Sequence, residues 1–557
     1  MRKIISAAEM REIDRLTSER YATPSLLLME TAANASARAI AARVSFDSPR
    51  KCVQVLCGRG NNGGDGAALA RALLTMGAHV DVVLFGSVGE TKGDARTNFE
   101  MLRRLASFEA GTSEQPSPVS FVECGDIGDW ENLASARRGY DVIVDALFGT
   151  GLTRPLEGIH RKIVAHLDLV RSARAHAHNT RPLIVSLDIP SGLDADSALP
   201  PGDAVRADLT VTFTAPKPAN VLPPAAHSGG ELVVADIGSP SSLIEAAASK
   251  LFLVEEKDAR AWLEATRYAP GSYKNTHGHA LVVAGSRGMT GAAALCANAA
   301  MRSGAGLVTV ATPVSALSNV SSRLAPEVLA TALAETDAGS PGVEAFASIS
   351  KLTERATVVA VGPGLSSESE ETRRLVREIV EQRTTPVVID ADGLNSLAPW
   401  PADLRGSPEA PLILTPHEGE MRRLLGTDDA EALRDRARVV SEFAATHELI
   451  VVLKGTRTLV AAPDGRVFVI PTGNAGLGTA GSGDTLTGII TGFIAQAFAT
   501  LKAGADALVA TVAAVYVGGV AGDLAAREHG MRALTASDVS AHFGAAMRAL
   551  DAVGEKP

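Results

Sequence analysis

Two glycine-rich turns and a set of carboxylates at strand ends carry the chemistry-bearing residues of this chain. The first turn, CGRGNNGGDG at 57–66, satisfies G-x-G-x-x-G through Gly58, Gly60 and Gly63. A dinucleotide fingerprint also needs an acidic residue at the end of the second strand, about 20 residues on, to grip the ribose. Here that strand ends Val83-Leu84-Phe85-Gly86, so the ordinary cofactor reading weakens. Asp65 weakens it further, because a loop that cradles diphosphate through N–H groups has little use for a carboxylate. Two more strand ends carry aspartates: Asp145 in VDALFGTG, followed by GTGLTRP with Arg154, and Asp188 in SLDIPSG. Asn62, Asp145 and Asp188 are of the type that supplies hard oxygen ligands to a cation or an acid/base to a substrate. The competing reading makes each aspartate a helix cap or turn residue.

The second turn, TGNAGLGTAGSGDTLTG at 472–488, places glycines and small residues ahead of a helix expected to begin near Asp484. Such a turn offers N–H groups and a positive dipole end to phosphoryl oxygens, with Asp484 placed to act as a base. No lysine follows the glycines, which excludes a Walker A loop. Asp390 and Asp392 in DADGLN either orient phosphates through magnesium or cap the following helix. His417 alone reads as a structural histidine.

The elements that must position these residues are strands alternating with helices. In the first half β-branched runs begin at residues 52, 79, 140, 182, 207 and 231, after two amphipathic helices near 7–20 and 25–42. A second series runs from HALVVAGS at 279 to a hairpin turning at Asp464-Gly465. Alternation of this kind predicts two mostly parallel, doubly wound α/β sheets, divided near residue 245 into domains 1–245 and 246–557. Nearly every polar cluster follows a strand, which is where open α/β sheets bind ligands.

A length of 557 residues exceeds one hydrophobic core. The net charge of −10, with no Lys/Arg run, disfavours nucleic acid. Cys52, Cys57, Cys124 and Cys296 show no C-x-x-C spacing and read as reduced, mostly buried thiols of a cytoplasmic protein. The N-terminus is broken by charges before any secretory apolar core, and ALVATVAAVYVGGVAG at 507–522 reads as a buried core helix short of bilayer length. No membrane partner is expected; Ala-rich helical faces suit a homo-oligomer.

NNGGDG, VDALFGTG and SLDIPSG, within about residues 1–240, resemble the epimerase domain of the bifunctional NAD(P)H-hydrate repair enzymes, which implies a Rossmann-like doubly wound fold. By that resemblance Asn61, Asn62, Gly63, Gly64 and Asp65, with Gly149, Thr150, Gly151, Leu152, Thr153, Arg154 and Pro155, contact substrate. Asn62, Asp145 and Ser191 are implied to hold a potassium ion, and Asp188 to contact substrate and serve as acid/base. The glycine loop then becomes a substrate site.

The G-S-G-D turn resembles the anion hole and catalytic aspartate of the ribokinase-like superfamily. With GMTGAAALCANAAMRSGAGLV, VGPGL, DADGLN, LTPHEGE and LKGTRTLV, residues 270–545 resemble the ADP-dependent NAD(P)HX dehydratase domain. The resemblance implies substrate contacts at Ala292, Gly364 and His417. It places an adenine nucleotide at Lys454, Gly455, Thr456, Arg457, Thr458 and Gly483, and makes Asp484 the substrate-contacting base. The small-molecule substrates implied are NADHX and NADPHX, with ADP as co-substrate and magnesium in the dehydratase domain. An alternative is a ribokinase-like small-molecule kinase fused to a non-catalytic binding domain.

Overall fold

The computed structural model describes residues 1–46, 51–112, 117–135, 139–173 and 181–551. Its contacts divide the chain into two compact units, Lys3–Ser249 and Lys250–Pro557, with Met1–Arg2 grouped with the second. After a two-residue strand β1 (Arg2–Lys3), the first unit contains β2 (Cys52–Cys57), β3 (His79–Phe85), β4 (Val119–Cys124), β5 (Val142–Ala146), β6 (Leu183–Leu187), β7 (Leu209–Phe213) and β8 (Glu231–Ala235). They form an all-parallel sheet in the order β4-β3-β2-β5-β6-β7-β8. Strand residues alternate between two cores: Val53, Val55, Val142 and Val144 face one, Leu56 and Ile143 the other. A sheet buried on both faces explains why these strands read as continuous β-branched runs.

The order reverses between β2 and β5, whose ends are joined as the Gly58 N–H donates to the Ala146 carbonyl at 3.0 Å. This is the switch point at which open sheets leave a crevice. The glycine turn leads from β2 into a helix at Asn61–Thr75. Preceding helices span Ala7–Tyr21, capped by Ser6 in a capping box with Glu9, and Ser25–Ala41. β4 is absent from the sequence expectation. Of its six residues only Val119 and Cys124 are buried, so its pattern lacks the full apolar run of its neighbours.

The second unit holds β9 (Leu251–Leu253), β10 (His279–Val283), β11 (Leu307–Pro313), β12 (Leu329–Leu333), β13 (Val358–Val361), β14 (Val387–Ile389), β15 (Leu412–Leu414), β16 (Ile450–Leu453), β17 (Leu459–Ala461) and β18 (Val467–Val469). The sheet runs β9-β18-β17-β16-β15-β14-β13-β10-β11-β12. The hairpin at Asp464-Gly465 joins β17 to β18, and a second antiparallel pairing, β16 with β17, precedes it. A further switch point lies between β10 and β13. The helix Ser482–Thr500 packs on the helix Thr290–Arg302 and stacks Phe493 on Trp262 at 4.0 Å. The apolar helix expected at 507–522 extends over Ala507–His529, long enough by length and composition to cross a bilayer, yet 78% of its most apolar window is buried. All four cysteines are free, three of them buried.

Candidate functional site

At the first switch point a cavity of about 760 Å³ opens between the ends of β2, β5, β6 and β7. It is lined by Asn61, Asn62 and Asp65 from the glycine turn, by Gly149–Leu152, Arg154 and Pro155 after β5, and by Asp188 after β6. Gly63 and Gly64 are buried beneath it. A Cβ at Gly63 would lie 1.8 Å from the Gly58 carbonyl oxygen, and one at Gly58 would lie 2.0 Å from that of Leu147, whereas Gly60 faces open space. Two of the three fingerprint glycines are thus required by the close approach of the protein's own backbone. Thr153 is exposed on the same loop.

Asp188 sits at φ +62, a left-handed conformation that costs a non-glycine residue energy and concentrates at functional sites. Its carbonyl accepts from the Asn220 side chain at 3.1 Å and its N–H donates to Val211 at 2.7 Å, which fixes the turn. The carboxylate accepts from the Thr212 hydroxyl at 2.9 Å and from Lys217 Nζ at 2.6 Å. Lys217 is 1% exposed, and its ammonium also donates to Thr212 Oγ1 and the Phe213 carbonyl, both at 3.1 Å. Neither Lys217 nor Asp14 figures in the sequence reading. Asp14 lies in an unremarkable amphipathic helix, and Lys217 in TAPKPAN, whose only sign is a position just past a strand. Burial pushes Asp14 up to about 6 against the pull of Lys217, and Asp188 adds to the rise. Burial, then the charges of Asp188 and Asp14, hold Asp65 well above the usual carboxylate range.

Asp145 is fully buried behind the cavity. It accepts from Ser186 Oγ at 2.8 Å, Ser191 N at 2.9 Å, Ser191 Oγ at 2.6 Å and Leu147 N at 3.3 Å. Burial raises its pKa against those hydrogen bonds. Among the described residues it has no cationic partner within 4.0 Å. Asn62 is buried, and among the described residues both its amide atoms lack partners.

In the second unit the strand-end segments converge on Asp390. This carboxylate, 1% exposed, pairs with Lys454 Nζ at 2.7 Å and accepts from the Thr487 hydroxyl at 2.7 Å. Burial opposes its ionisation, but Lys454 and these donors hold it below the usual range, while Asp390 and Glu420 raise Lys454 despite its burial. Gly483, in the first turn of the helix Ser482–Thr500, lies directly over the pair, since a Cβ there would sit 3.3 Å from Lys454 Nζ and 3.7 Å from Asp390 Oδ2. First-turn N–H groups have no intrahelical acceptor and face outward with the positive dipole end. Asp484, the next residue, is pushed up to about 6 by burial and by Asp390, against Lys454.

A Cβ at Gly362 would meet the Asp390 carbonyl at 1.8 Å, and one at Gly364 would lie 3.0 Å from the Ala292 Cβ, so VGPGL, Ala292 and Asp390 are brought together. Asp392 Oδ2 accepts from Ser366 N at 2.9 Å, and its charge adds to the rise at Asp484. His417 caps the helix Glu418–Leu424, its Nδ1 accepting from Gly419 N at 3.0 Å and Glu420 N at 3.2 Å, while its Nε2 lies 3.5 Å from Glu420 Oε1. Lys454 N donates to the Pro416 carbonyl at 2.8 Å, tying the His417 segment to the lysine loop. Thr456 accepts from Arg436 Nη1 through its carbonyl at 3.1 Å, Arg457 sits at φ +54, and Thr458 Oγ1 donates to the Gly455 carbonyl at 3.1 Å.

Two α/β units, each with a glycine turn and a lysine-paired aspartate just past the end of a strand, have the make-up of an enzyme that handles nucleotide-like ligands. Comparisons with known proteins narrow the class. The model for NAD(P)H-hydrate dehydratase matches residues 280–543, and the model for the YjeF-related protein N-terminus matches 25–219. The bifunctional NAD(P)H-hydrate repair enzyme of Moorella thermoacetica is 38% identical over 536 residues, 96% of this chain and 95% of that protein. That of Thermofilum pendens is 38% identical over 548 residues, 98% and 97% of the two chains. The crystal structure of the ADP/ATP-dependent NAD(P)H-hydrate dehydratase of Bacillus subtilis, co-crystallised with ATP/Mg2+, matches with 30% identity and a TM-score of 0.46 over 54% of this chain and all of that one. The chain belongs to the family of bifunctional NAD(P)H-hydrate repair enzymes.

Proposed function

We propose that the first unit interconverts (R)- and (S)-NAD(P)H hydrates and that the second dehydrates the S epimer with ADP, giving NAD(P)H, AMP and phosphate. The division of labour falls between residues 1–245 and 246–557. The observation that carries the reading is Asp484: a carboxylate of raised proton affinity at a helix N-terminus, over a buried Lys454–Asp390 pair. That is the arrangement of a base beside a phosphoryl-binding turn.

In the second unit Asp484 takes the proton of the C6 hydroxyl, whose oxygen attacks the terminal phosphoryl group of ADP, and AMP leaves. The C6–O bond then breaks with loss of phosphate, driven by the ring nitrogen lone pair, and loss of a C5 proton restores the dihydropyridine. The helix N–H groups and Lys454 stabilise the charge on the transferring group. Magnesium fits as the nucleotide's counterion. Asp390, Asp392 and Glu420 each already accept a hydrogen bond or ion pair from the protein, which favours a metal that enters with phosphates over a protein cage.

In the first unit Asp188, held by Lys217, moves protons at the C6 hydroxyl. Potassium fits the residues behind it, because among the described residues Asp145 is a buried carboxylate with only neutral donors and Asn62 presents a buried amide oxygen with no partner. Asn62, Asp145 and Ser191 would hold the ion, which would supply positive charge beside the substrate. We take the setting to be cytoplasmic and the protein to self-associate, consistent with the free cysteines and Ala-rich helices.

The test is incubation of mixed R and S hydrates with ADP, magnesium and potassium, following the near-ultraviolet absorbance of reduced nicotinamide. Complete conversion supports both activities. A stall after the S form leaves only the dehydratase, and no conversion defeats the proposal. A phosphorylated product without absorbance would return the kinase alternative.

A further inference from the structure

We propose that Asp14 is a second proton-transfer carboxyl of the first-unit site, working alongside Asp188; this rests on the epimerase reading above. Asp14 projects from the helix Ala7–Tyr21 into the cavity that Asp188, Asn62 and Arg154 also line. Its Oδ1 is buried and, among the described residues, accepts no hydrogen bond. The neighbouring aspartates behave otherwise: Asp145 takes four donors, and Asp188 takes Lys217 and Thr212. Lys217 cannot serve Asp14 as well, because its three ammonium protons go to Asp188, Thr212 and the Phe213 carbonyl. A structural carboxyl in such a place would be engaged; one left unengaged and facing a cavity is available to a ligand.

The pair divides the work. Asp188 is ion-paired with Lys217, while Asp14, pushed up to about 6 by burial, retains its proton more readily than an ordinary aspartate. Inversion at C6 uses both. Asp14 donates its proton to the C6 hydroxyl oxygen, the C6–O bond breaks, and water departs as the ring nitrogen lone pair forms the N1–C6 double bond. Water then adds to the other face of C6, the electron pair returning to nitrogen, and Asp188 takes the surplus proton. Atoms and charge balance, no redox partner is needed, and proton exchange between the two carboxyls resets the site.

The experiment measures R-to-S exchange on the full-length protein with potassium present. Asp14→Asn, nearly isosteric with the protonated acid, is expected to lower kcat by about 100-fold or more while leaving KM within about twofold. Asp14→Ala with added formate is expected to recover part of the rate, since a small acid can occupy the truncated side chain's space. Exchange by Asp14→Asn at the wild-type rate overturns the proposal. Loss of exchange with a lowered melting temperature and no formate rescue also overturns it, in favour of a packing role. Failure of the wild-type protein to exchange the epimers sinks the epimerase reading itself, a result read without any variant.

Discussion

Asp484→Asn should abolish dehydration and at the same time make the protein more stable. Burial and the charge of Asp390 lift Asp484 from its ordinary 3.8 to about 6. At about 1.4 kcal/mol per tenfold change in proton affinity, ionising it in the folded state costs on the order of 3 kcal/mol. The side chain is half-buried, and screening by water reduces the stability effect to roughly 1–2 kcal/mol. The sign follows from the direction of the shift. Between 3.8 and about 6 the folded chain binds more protons at this position than the unfolded one, so the native carboxyl contributes stability below 3.8 that is lost as pH rises through 6. Asparagine carries no such charge, so the variant's advantage over wild type should grow across that window and level off above it.

Thermal melts from acid to neutral pH read this directly, with an expected gain of about 1–3 °C near neutrality. Wild-type dehydration should fall roughly tenfold per pH unit below 6, as the base becomes protonated, and the variant should lose about 100-fold or more at every pH. An Asp484→Asn protein that melts no higher than wild type at neutral pH, or whose difference from wild type is flat from pH 4 to 7, would refute the reasoning. So would a variant that still dehydrates at a comparable rate.

Other expectations follow from contacts of the same kind. Lys454→Met leaves Asp390 buried without its partner and should cost about 3–5 kcal/mol, seen as a lower melting temperature, together with a raised KM for ADP. Gly63→Ala places a methyl 1.8 Å from the Gly58 carbonyl, a backbone atom that cannot move aside, and should lower both stability, by about 1–3 kcal/mol, and R-to-S exchange. Exchanging potassium for choline should slow epimerisation while dehydration of pure S hydrate continues, because the buried, neutrally hydrogen-bonded Asp145 lies in the first unit.

The α/β fold was legible because parallel strands buried on both faces must be apolar along their whole length, and β2 and β5 to β7 announce themselves this way. β4 (VSFVEC) escaped because Ser120 and Glu123 interrupt its apolar run, and β9 (LFL) and β12 (LATAL) because neither is a run of β-branched residues. The glycine turns and strand-end aspartates were legible because switch points sit where strands end. Gly63 and Gly64 were implied as ligand contacts by the family resemblance, and a sequence pattern cannot separate a glycine that admits a ligand from one that, like Gly63, admits a neighbouring carbonyl. Asp390 is the instructive miss. Its sequence neighbourhood allowed either a metal ligand or a cap, and only the distant Lys454 and Thr487, brought in by separate strands and helices, decide for an ion-paired charge. Asp14 was beyond reach for the same reason: its environment is assembled from residues up to about 200 positions away.

The two units share no motif, yet they arrive at one electrostatic arrangement. In each, a lysine at most partly exposed locks one aspartate as its ion-pair partner, Lys217 with Asp188 and Lys454 with Asp390. In each, a second carboxyl nearby is pushed up to about 6, Asp14 in the first and Asp484 in the second. The fixed carboxylate makes ionisation of its neighbour harder, and the lysine keeps that penalty from growing so large that the neighbour never ionises. A group poised near 6 can be both acid and base within the range in which a cell operates, whereas an isolated aspartate near 3.8 would be a poor acid and a weak base there. If that balance is what each site is built for, Lys217→Met and Lys454→Met should raise the proton affinity of Asp14 and Asp484 further, moving each pH profile toward higher pH. An unmoved profile in either variant would show that its lysine serves only to hold its partner in place.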